Sequence, residues 1–459
     1  MILFINRGGD YTKRDLTKGN ALNNLIVFSL PFLLSYFLQT FYGMADLLIV
    51  GQFNEASSLS AVSIGSQVMH MITVIIVGLA MGSTVMIGRY VGNKNEKNVS
   101  KTIGNTIILF MIVSICMTII LLFFLNGIVS VMSTPVEAVS ETRLYLMICF
   151  IGIPFITAYN IISSIFRGLG DSRSPMYFVA IACFFNIFLD LLLVGYFDMH
   201  AIGAAYATVV SQTLSVMIAL IAIIKKKMIS IHRSDLKLKK KIIFDIIKIG
   251  IPIACQDGFI QISFLVITMI ANTRGVNVSA AVGVVEKIIS LLFLVPSSMQ
   301  AAISAISAQC LGANNHRQAS LTLKYGLIIA VGFGLVFFMM CQIIPSQLLS
   351  LFTSEVIVIT LGVQYLRSYS IDCIMAGVHF SFSGYFTAYG YSMISFIHNT
   401  ASILLVRIPG AYLASQLFPD TLYPMGLAAP MGSLLSSLIC IGVYIYLFRI
   451  KKKHLKREA

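Results

Sequence analysis

Asp46 sits inside FYGMADLLIVGQF (41–53), a stretch otherwise apolar almost throughout. Asn186 and Asp190 stand four residues apart in NIFLDLLLVG, a spacing that puts both on one helix face. Thr208, in IGAAYATVVSQ, adds a hydroxyl. Two carboxylates, an amide oxygen and a hydroxyl form an all-oxygen set, suited to a hard cation or a shared proton and not to zinc. Low dielectric disfavours a lone carboxylate charge, so such a group takes up a proton or binds a cation. Spacing alone does not bring the three segments together. Taken singly, each residue would also serve as a satisfied structural polar group.

Three further acids, Asp257, Glu286 and Asp372, lie in apolar stretches of the second half. They are suited to meeting a cationic substrate or a second ion. Ion pairing is the competing expectation for two of them. Lys287 and Arg367 lie close in sequence to Glu286 and Asp372, and Arg407 is a further candidate partner.

The elements that must position these residues are membrane spans. The 459-residue chain is 58% hydrophobic and only 11% charged, with a mean hydropathy of +0.89. Soluble domains carry about 25% charged residues. A span needs about 20 mostly apolar residues. Twelve such runs are expected, at 21–50, 58–88, 102–126, 138–166, 175–197, 201–224, 242–272, 279–311, 322–345, 356–388, 391–417 and 424–448. The fold class expected is therefore an all-α polytopic membrane protein. The first run follows a polar stretch, and no small-residue cleavage pattern follows it, so no removable signal peptide is expected. Each intramembrane acid costs on the order of 2.5–3.5 kcal/mol at the centre of a span, so each needs a reason.

The net charge of +14 would suggest nucleic acid in a soluble protein. Its distribution gives a better account. If the N-terminus is cytoplasmic and the sides alternate, 27 of the 32 Lys and Arg residues fall on the cytoplasmic side, and the opposite loops hold only Arg143 and Arg274. This is the positive-inside pattern. No nucleic-acid partner is expected, and the tail RIKKKHLKREA is a topology signal that can also touch anionic lipid. The eight cysteines are scattered singly through apolar runs, with no CxxC pair, and read as small apolar residues. HExxH, GxSxG and Walker A motifs are absent. An intramembrane enzyme built on His70, His379 or His398 has no paired catalytic motif behind it, so the chain is not expected to be an enzyme.

The polar stretch KKKMISIHRSDLKLKKK (225–241) divides the chain into a first lobe, 1–224, and a second lobe, 242–459. The lobes resemble each other at a shift of 220. Gly92 matches Gly312, each before a polar GNKN or GANN loop. Tyr145 and Leu146 match Tyr365 and Leu366, and Phe166, Gly170 and Ser172 match Phe386, Gly390 and Ser392. A constant offset that preserves span order is the mark of an internal repeat. Each lobe has an even number of spans, so the repeats are parallel, as in several secondary transporters, with a substrate site expected between them. Pro31 and Pro252 fall early in spans 1 and 7 and read as bends, fixed or moving. The polar set of the first lobe does not recur: the shift carries Asp46 to Val266, Asn186 to Val406 and Asp190 to Gly410.

Taken together, SLPFLLSYFLQTFYGMADLLIVGQF, FRGLGDSRSPM, NIFLDLLLVG and IGAAYATVVSQ resemble the multidrug and toxic compound extrusion (MATE) transporters, of the prokaryotic DinF/MepA-like kind. The resemblance covers nearly the whole chain. It implies two six-span lobes, a cell-membrane location with both termini cytoplasmic, no cofactor, and export of organic cations in exchange for protons or sodium. In DinF-like members the coupling site falls on Asp46, Asn186, Asp190 and Thr208, and the bending proline on Pro31. NorM-like members place an acid in span 7 where this chain has Ile260, with Gln261 beside it and Asp257 nearby. That departure favours the first-lobe site and leaves Asp257, Gln261, Glu286 and Asp372 as candidates for substrate or a second cation.

The function expected is a cation-coupled antiporter of amphipathic organic cations, acting as a monomer in the bilayer by alternating access. The alternative from a related branch is a flippase for a lipid-linked oligosaccharide precursor. A flippase would need a more cationic cavity than five intramembrane acids suggest.

Overall fold

The computed structural model describes residues 15–132, 134–226 and 233–450. Much of the expected linker, the first fourteen residues and the basic tail from 451 lie outside the described residues. The described chain is helical, without strands. In order the helices are α1 (Ala21–Phe53), α2 (Ala56–Gly92), α3 (Glu96–Phe123), α4 (Leu125–Val131), α5 (Val139–Ile151), α6 (Ile153–Gly168), α7 (Arg173–Asp190), α8 (His200–Lys226), α9 (Lys240–Asn272), α10 (Val276–Leu292), α11 (Leu294–Gly312), α12 (His316–Ile343), α13 (Pro345–Ser350), α14 (Val356–Tyr369), α15 (Asp372–Ala388), α16 (Ser392–Ser402), α17 (Ile408–Leu417) and α18 (Tyr423–Tyr444).

These segments make the twelve expected passes. Among the described residues nine are long apolar helices, with α10 and α11 counted as one pass. Span 4 is broken into α5 and α6, which meet at 48° around Gly152, with Pro154 in the first turn of α6. Span 10 is likewise α14 and α15. Span 11 is α16 and α17, joined by a π turn over Ile403–Arg407. Helix α1 runs unbroken through Pro31, and the Ser35 hydroxyl donates to the Pro31 carbonyl at 2.8 Å. A hydroxyl bonded back to the carbonyl one turn earlier is satisfied within its own helix and needs no partner from lipid.

The repeat is visible in local geometry. Asn95 and Asn315 cap α3 and α12 by accepting from the amides of Asn98 and Gln318. The residues just before these caps, Lys94 and Asn314, both take positive φ, 53° and 55°. Gly170 and Gly390 do the same in the later loops, where only glycine turns left without strain.

The two halves are joined at one end and part at the other. A single apolar cluster, running from Leu25 and Phe32 through Ile87, Ile246 and Ile303 to Phe386, unites them near the 92–96 and 312–316 loops. At the opposite end the clusters separate. One, around Val62, Leu146 and Val194, belongs to the first half; another, around Val285, Leu366 and Met425, belongs to the second. The joined end is a seam of small residues. Gly78 and Gly82 of α2 meet the backbone of α9 at Ala254 and Ile246, and Gly88 of α2 meets Ala308 of α11. In lipid, such close backbone approach replaces the hydrophobic drive of water. On the parted side lies a cleft of about 720 Å³, lined by Leu47, Gly51 and Gln52 of α1, Leu59 and Ser63 of α2, and Lys287 of α10.

Candidate functional site

Three helices of the first half bring the all-oxygen set together. Helix α1 supplies Asp46, the last two turns of α7 supply Asn186 and Asp190, and α8 supplies Thr208. The Thr208 hydroxyl donates to Asp46 Oδ2 at 3.4 Å. Asp190 and Asn186 also lie within interaction reach of the Asp46 carboxylate. Asp46 is 4% exposed, Asn186 1% and Asp190 0%. Asp190 ends the regular part of α7, and a π turn over Leu191–Tyr196 follows it. Such π turns recur at functional sites.

The set is unsatisfied. Asp46 Oδ1, both Asp190 carboxylate oxygens and both amide atoms of Asn186 are buried without a hydrogen-bond partner. Buried polar groups are almost always paired. No ion pair reaches them either. Among the described residues the ion pairs are Lys18–Asp15 and His200–Asp198, both outside the spans. Two facing carboxylates with an amide and a hydroxyl beside them have the donor set to hold a proton between them, or a hard cation.

Sequence reasoning missed the residues that wall this site. Tyr145 of α5 lies within electrostatic reach of both Asp46 and Asp190. Its ring occupies the space that a side chain at Gly65 of α2 would fill. Tyr42, one turn before Asp46 on α1, takes a hydrogen bond from Gln212 of α8 at 3.4 Å. The repeat carried the signal for Tyr145, because Tyr365 matches it in the second half.

The second half holds a different cluster. Glu286 of α10 and Asp372 at the start of α15 both lie within electrostatic reach of Arg407, at the end of the π turn in span 11. The expected pairing with Lys287 and Arg367 is not what the structure shows. Arg367 turns to the Gln342 carbonyl, and Lys287 lines the cleft. Consecutive residues on a helix point in different directions, which is why nearness in sequence misled here. Arg407 donates to the Tyr369 hydroxyl and stacks over Phe264, 4.7 Å from the ring centroid. Thr268 of α9 donates to Glu286 at 3.1 Å, while Glu286 Oε1 and both Asp372 oxygens lack a bonded partner.

Asp257 is not part of this cluster. It accepts from Gln256 at 3.3 Å and faces Tyr36 of the first half across the seam. Gln261, one turn further along α9, is half-buried. The four second-half candidates are thus two groups, Glu286 with Asp372 around Arg407, and Asp257 facing the other half.

The chain and its fold have counterparts among known proteins. The MatE family model matches the chain twice, over residues 31–192 and 252–413. The chain is 29% identical to the probable multidrug resistance protein YpnP of Bacillus subtilis (strain 168), covering 94% of this chain and 96% of that protein. It is 22% identical to the multidrug export protein MepA of Staphylococcus aureus (strain N315), covering 95% of each. Among solved structures, a MATE in complex with MaL6 superposes with a TM-score of 0.88 at 22% identity, over 98% of this chain and 100% of that one. An outward-facing multidrug resistance MATE family transporter of the MOP superfamily superposes with a TM-score of 0.89 at 21% identity, over 97% and 99%.

Proposed function

The chain belongs to the MatE family, and from that premise we propose that it exports amphipathic organic cations in exchange for an inward-moving proton or sodium ion. The names of its relatives, which speak of multidrug resistance and export, support the substrate class. The observation that carries the coupling is the set of Asp46, Asn186 and Asp190, buried and largely unsatisfied in one half only, with the Thr208 hydroxyl beside it. A group of buried carboxylates with no positive charge beside it among the described residues is completed by the ion it moves. Its absence from the second half fits a coupling site better than a feature of the shared architecture.

Substrate is held between the halves and leaves through the cleft on the parted side. Asp257 on the seam, and Glu286 and Asp372 beyond it, favour positive charge there, because opposite charges attract more strongly away from water. The protein works as a monomer in the cell membrane, with the joined, Lys- and Arg-rich end of the bundle on the cytoplasmic side. In the arrangement described, the parted end then faces outward. A two-state exporter requires that ion and substrate each favour one arrangement over the other.

Proteoliposomes carrying the purified chain test this reading. An imposed proton or sodium gradient should drive movement of an ethidium-like dye against its own gradient. Movement of a lipid-linked sugar and no dye would replace this reading with a flippase. Neither movement, in a folded sample, would leave export unsupported.

A further inference from the structure

At the joined end, two side chains that the repeat relates, Arg89 and Gln309, each reach across to the other half. Arg89, in the last turn of α2, donates from Nε and Nη2 to the Ala388 carbonyl at the end of α15, at 3.1 and 2.6 Å. Gln309 of α11 donates from Nε2 to the Gly168 carbonyl at the end of α6, at 2.9 Å. Gln309 stands 220 residues after Arg89, and Ala388 stands 220 after Gly168. Each half thus reaches across to the end of a helix in the other. The last carbonyls of a helix have no partner within it and carry its negative dipole end, so a donor there is well placed.

The surroundings show that these contacts work only with the halves pressed together. A methyl group at Gly92 would collide with the Gln309 carbonyl, and one at Gly312 with the Arg89 carbonyl. Two entry segments also cross over. Asn315 and Gln318, at the start of α12, donate to the carbonyls of Thr17 and Gly19 before α1, at 2.9 and 3.1 Å. Asn105 of α3 accepts from the Lys239 amide before α9, at 2.6 Å. Each half holds the segment that leads into the other.

We propose that Arg89 and Gln309 are positioning residues of the transport cycle, forming a reciprocal latch that holds this end closed while the other is open. The inference rests on the alternating-access reading above. It adds which contacts must break for the halves to exchange. The two latch bonds are unequal. Arg89 gives a charged, two-pronged donor, and charge-assisted bonds are roughly twice as strong as neutral ones. Arg89 therefore contributes more to the closed end than Gln309.

The test reads the arrangement directly. Lys97 and Arg317 are exposed, sit in the first turns of α3 and α12, and stand 220 apart. Spin labels at these two positions, in an otherwise cysteine-free full-length chain in nanodiscs, report the separation of the halves by double electron–electron resonance. The parent should show mainly one short distance. Arg89→Ala should add a longer distance and raise the open-to-closed ratio roughly tenfold, equivalent to about 1.4 kcal/mol. Gln309→Ala should shift it in the same direction by less, and Arg89→Lys should restore part of the closed population. A variant that loses thermal stability with an unchanged distance distribution would mean that Arg89 merely supports the fold, and would overturn the latch. So would unchanged distances at unchanged stability. The readout does not depend on export. A chain that moves no dye but opens on Arg89→Ala would keep the latch and lose the proposed function.

Discussion

Tyr145 and Tyr365, 220 residues apart, each stand beside the charged cluster of their own half. Tyr145 lies within reach of Asp46 and Asp190, and Tyr365 within reach of Glu286, Asp372 and Arg407. The two tyrosines belong to the shared architecture, and what they face does not. In the first half the position opposite the tyrosine holds two carboxylates and no cation. In the second it holds two carboxylates and an arginine. One repeat has thus produced a pair of acids with no arginine or lysine paired to it among the described residues, and another with an arginine of its own nearby.

That contrast predicts different responses to charge removal. Arg407→Ala removes the nearest positive charge from the buried Asp372 and the half-buried Glu286, together with the bond to Tyr369 and the contact with Phe264. A hydrogen bond from a charged group alone contributes about 1.5–3 kcal/mol. A clear drop in the thermal midpoint of the detergent-solubilised chain is expected. Arg407→Lys should recover only part of it, because an ammonium cannot reproduce the planar stack on Phe264 or the directed bond to Tyr369. Lys287→Ala, at an exposed position on the cleft, should stay within about 0.5 kcal/mol of the parent. An Arg407→Ala protein as stable as the parent would mean that the two acids do not depend on it.

Thr208 gives a finer prediction. Its hydroxyl is the single hydrogen bond to Asp46 among the described residues. Thr208→Val keeps the shape and removes the donor, at a cost of about 1 kcal/mol for a bond of this kind. The hydroxyl oxygen is also lost to any bound cation. The ion concentration giving half-maximal export should therefore rise roughly fivefold, the equivalent of that energy, with maximal export less affected. An unchanged ion dependence would remove Thr208 from the site.

Most of the fold was legible because lipid imposes long apolar runs. All twelve expected runs match helical passes, and the shift of 220 reappears in caps, loops and positive-φ residues. The breaks were less legible. The bend in span 4 at Gly152 and Pro154 fell inside a run expected to be continuous, and nothing in the sequence pointed to the π turns after Asp190 and before Ile408. The convergence of Asp46, Asn186, Asp190 and Thr208 needed the packing of α1, α7 and α8, which spacing within one helix cannot supply. For the same reason Arg407 stood only as a further candidate partner, behind Lys287 and Arg367. Its partners lie on α10 and α15, far off in sequence, while Lys287 and Arg367 were near in sequence and directed elsewhere.

The segment before α1 has its own pH dependence. The Thr17 hydroxyl donates to the Asp15 carboxylate and, against the opposing effect of partial burial, holds it below the ordinary value of 3.8. The Thr17 amide and nearby Lys18 act in the same direction. A carboxylate lowered in the folded state adds stability above its unfolded value, and this is lost as pH falls through the folded value. The window therefore lies below pH 3.8. Hydrogen-exchange protection of residues 16–20 should be steady from neutral pH down to about that point and fall below it. In Thr17→Ala the onset should move up towards 3.8. Loss of protection already at pH 5 to 6 in the parent would exclude Asp15 as the cause.

The last prediction concerns Asp46 and Asp190. Asp46→Asn and Asp190→Asn keep the shape of each side chain and remove its charge. Neither acid has an ion-pair partner to strand, so neither change should lower the thermal midpoint. If the pair carries the coupling ion, either change should abolish gradient-driven export while the protein still inserts and still binds dye in detergent. An amide at position 46 interacts alike with the ion-free and ion-loaded protein, so the gradient has no lever on the equilibrium between arrangements. The loss is large. Each charge carried inward across 100 mV contributes about 2.3 kcal/mol, roughly fiftyfold in steady-state accumulation. Asp257→Asn is the control, since Asp257 faces Tyr36 across the seam and lies outside the Asp46 set. It should alter which dyes are moved more than the ion dependence of moving them. Export by Asp46→Asn at the parent rate, with the same ion dependence, would sink the site. Export lost in Asp257→Asn but kept in Asp46→Asn would shift the coupling to the second half.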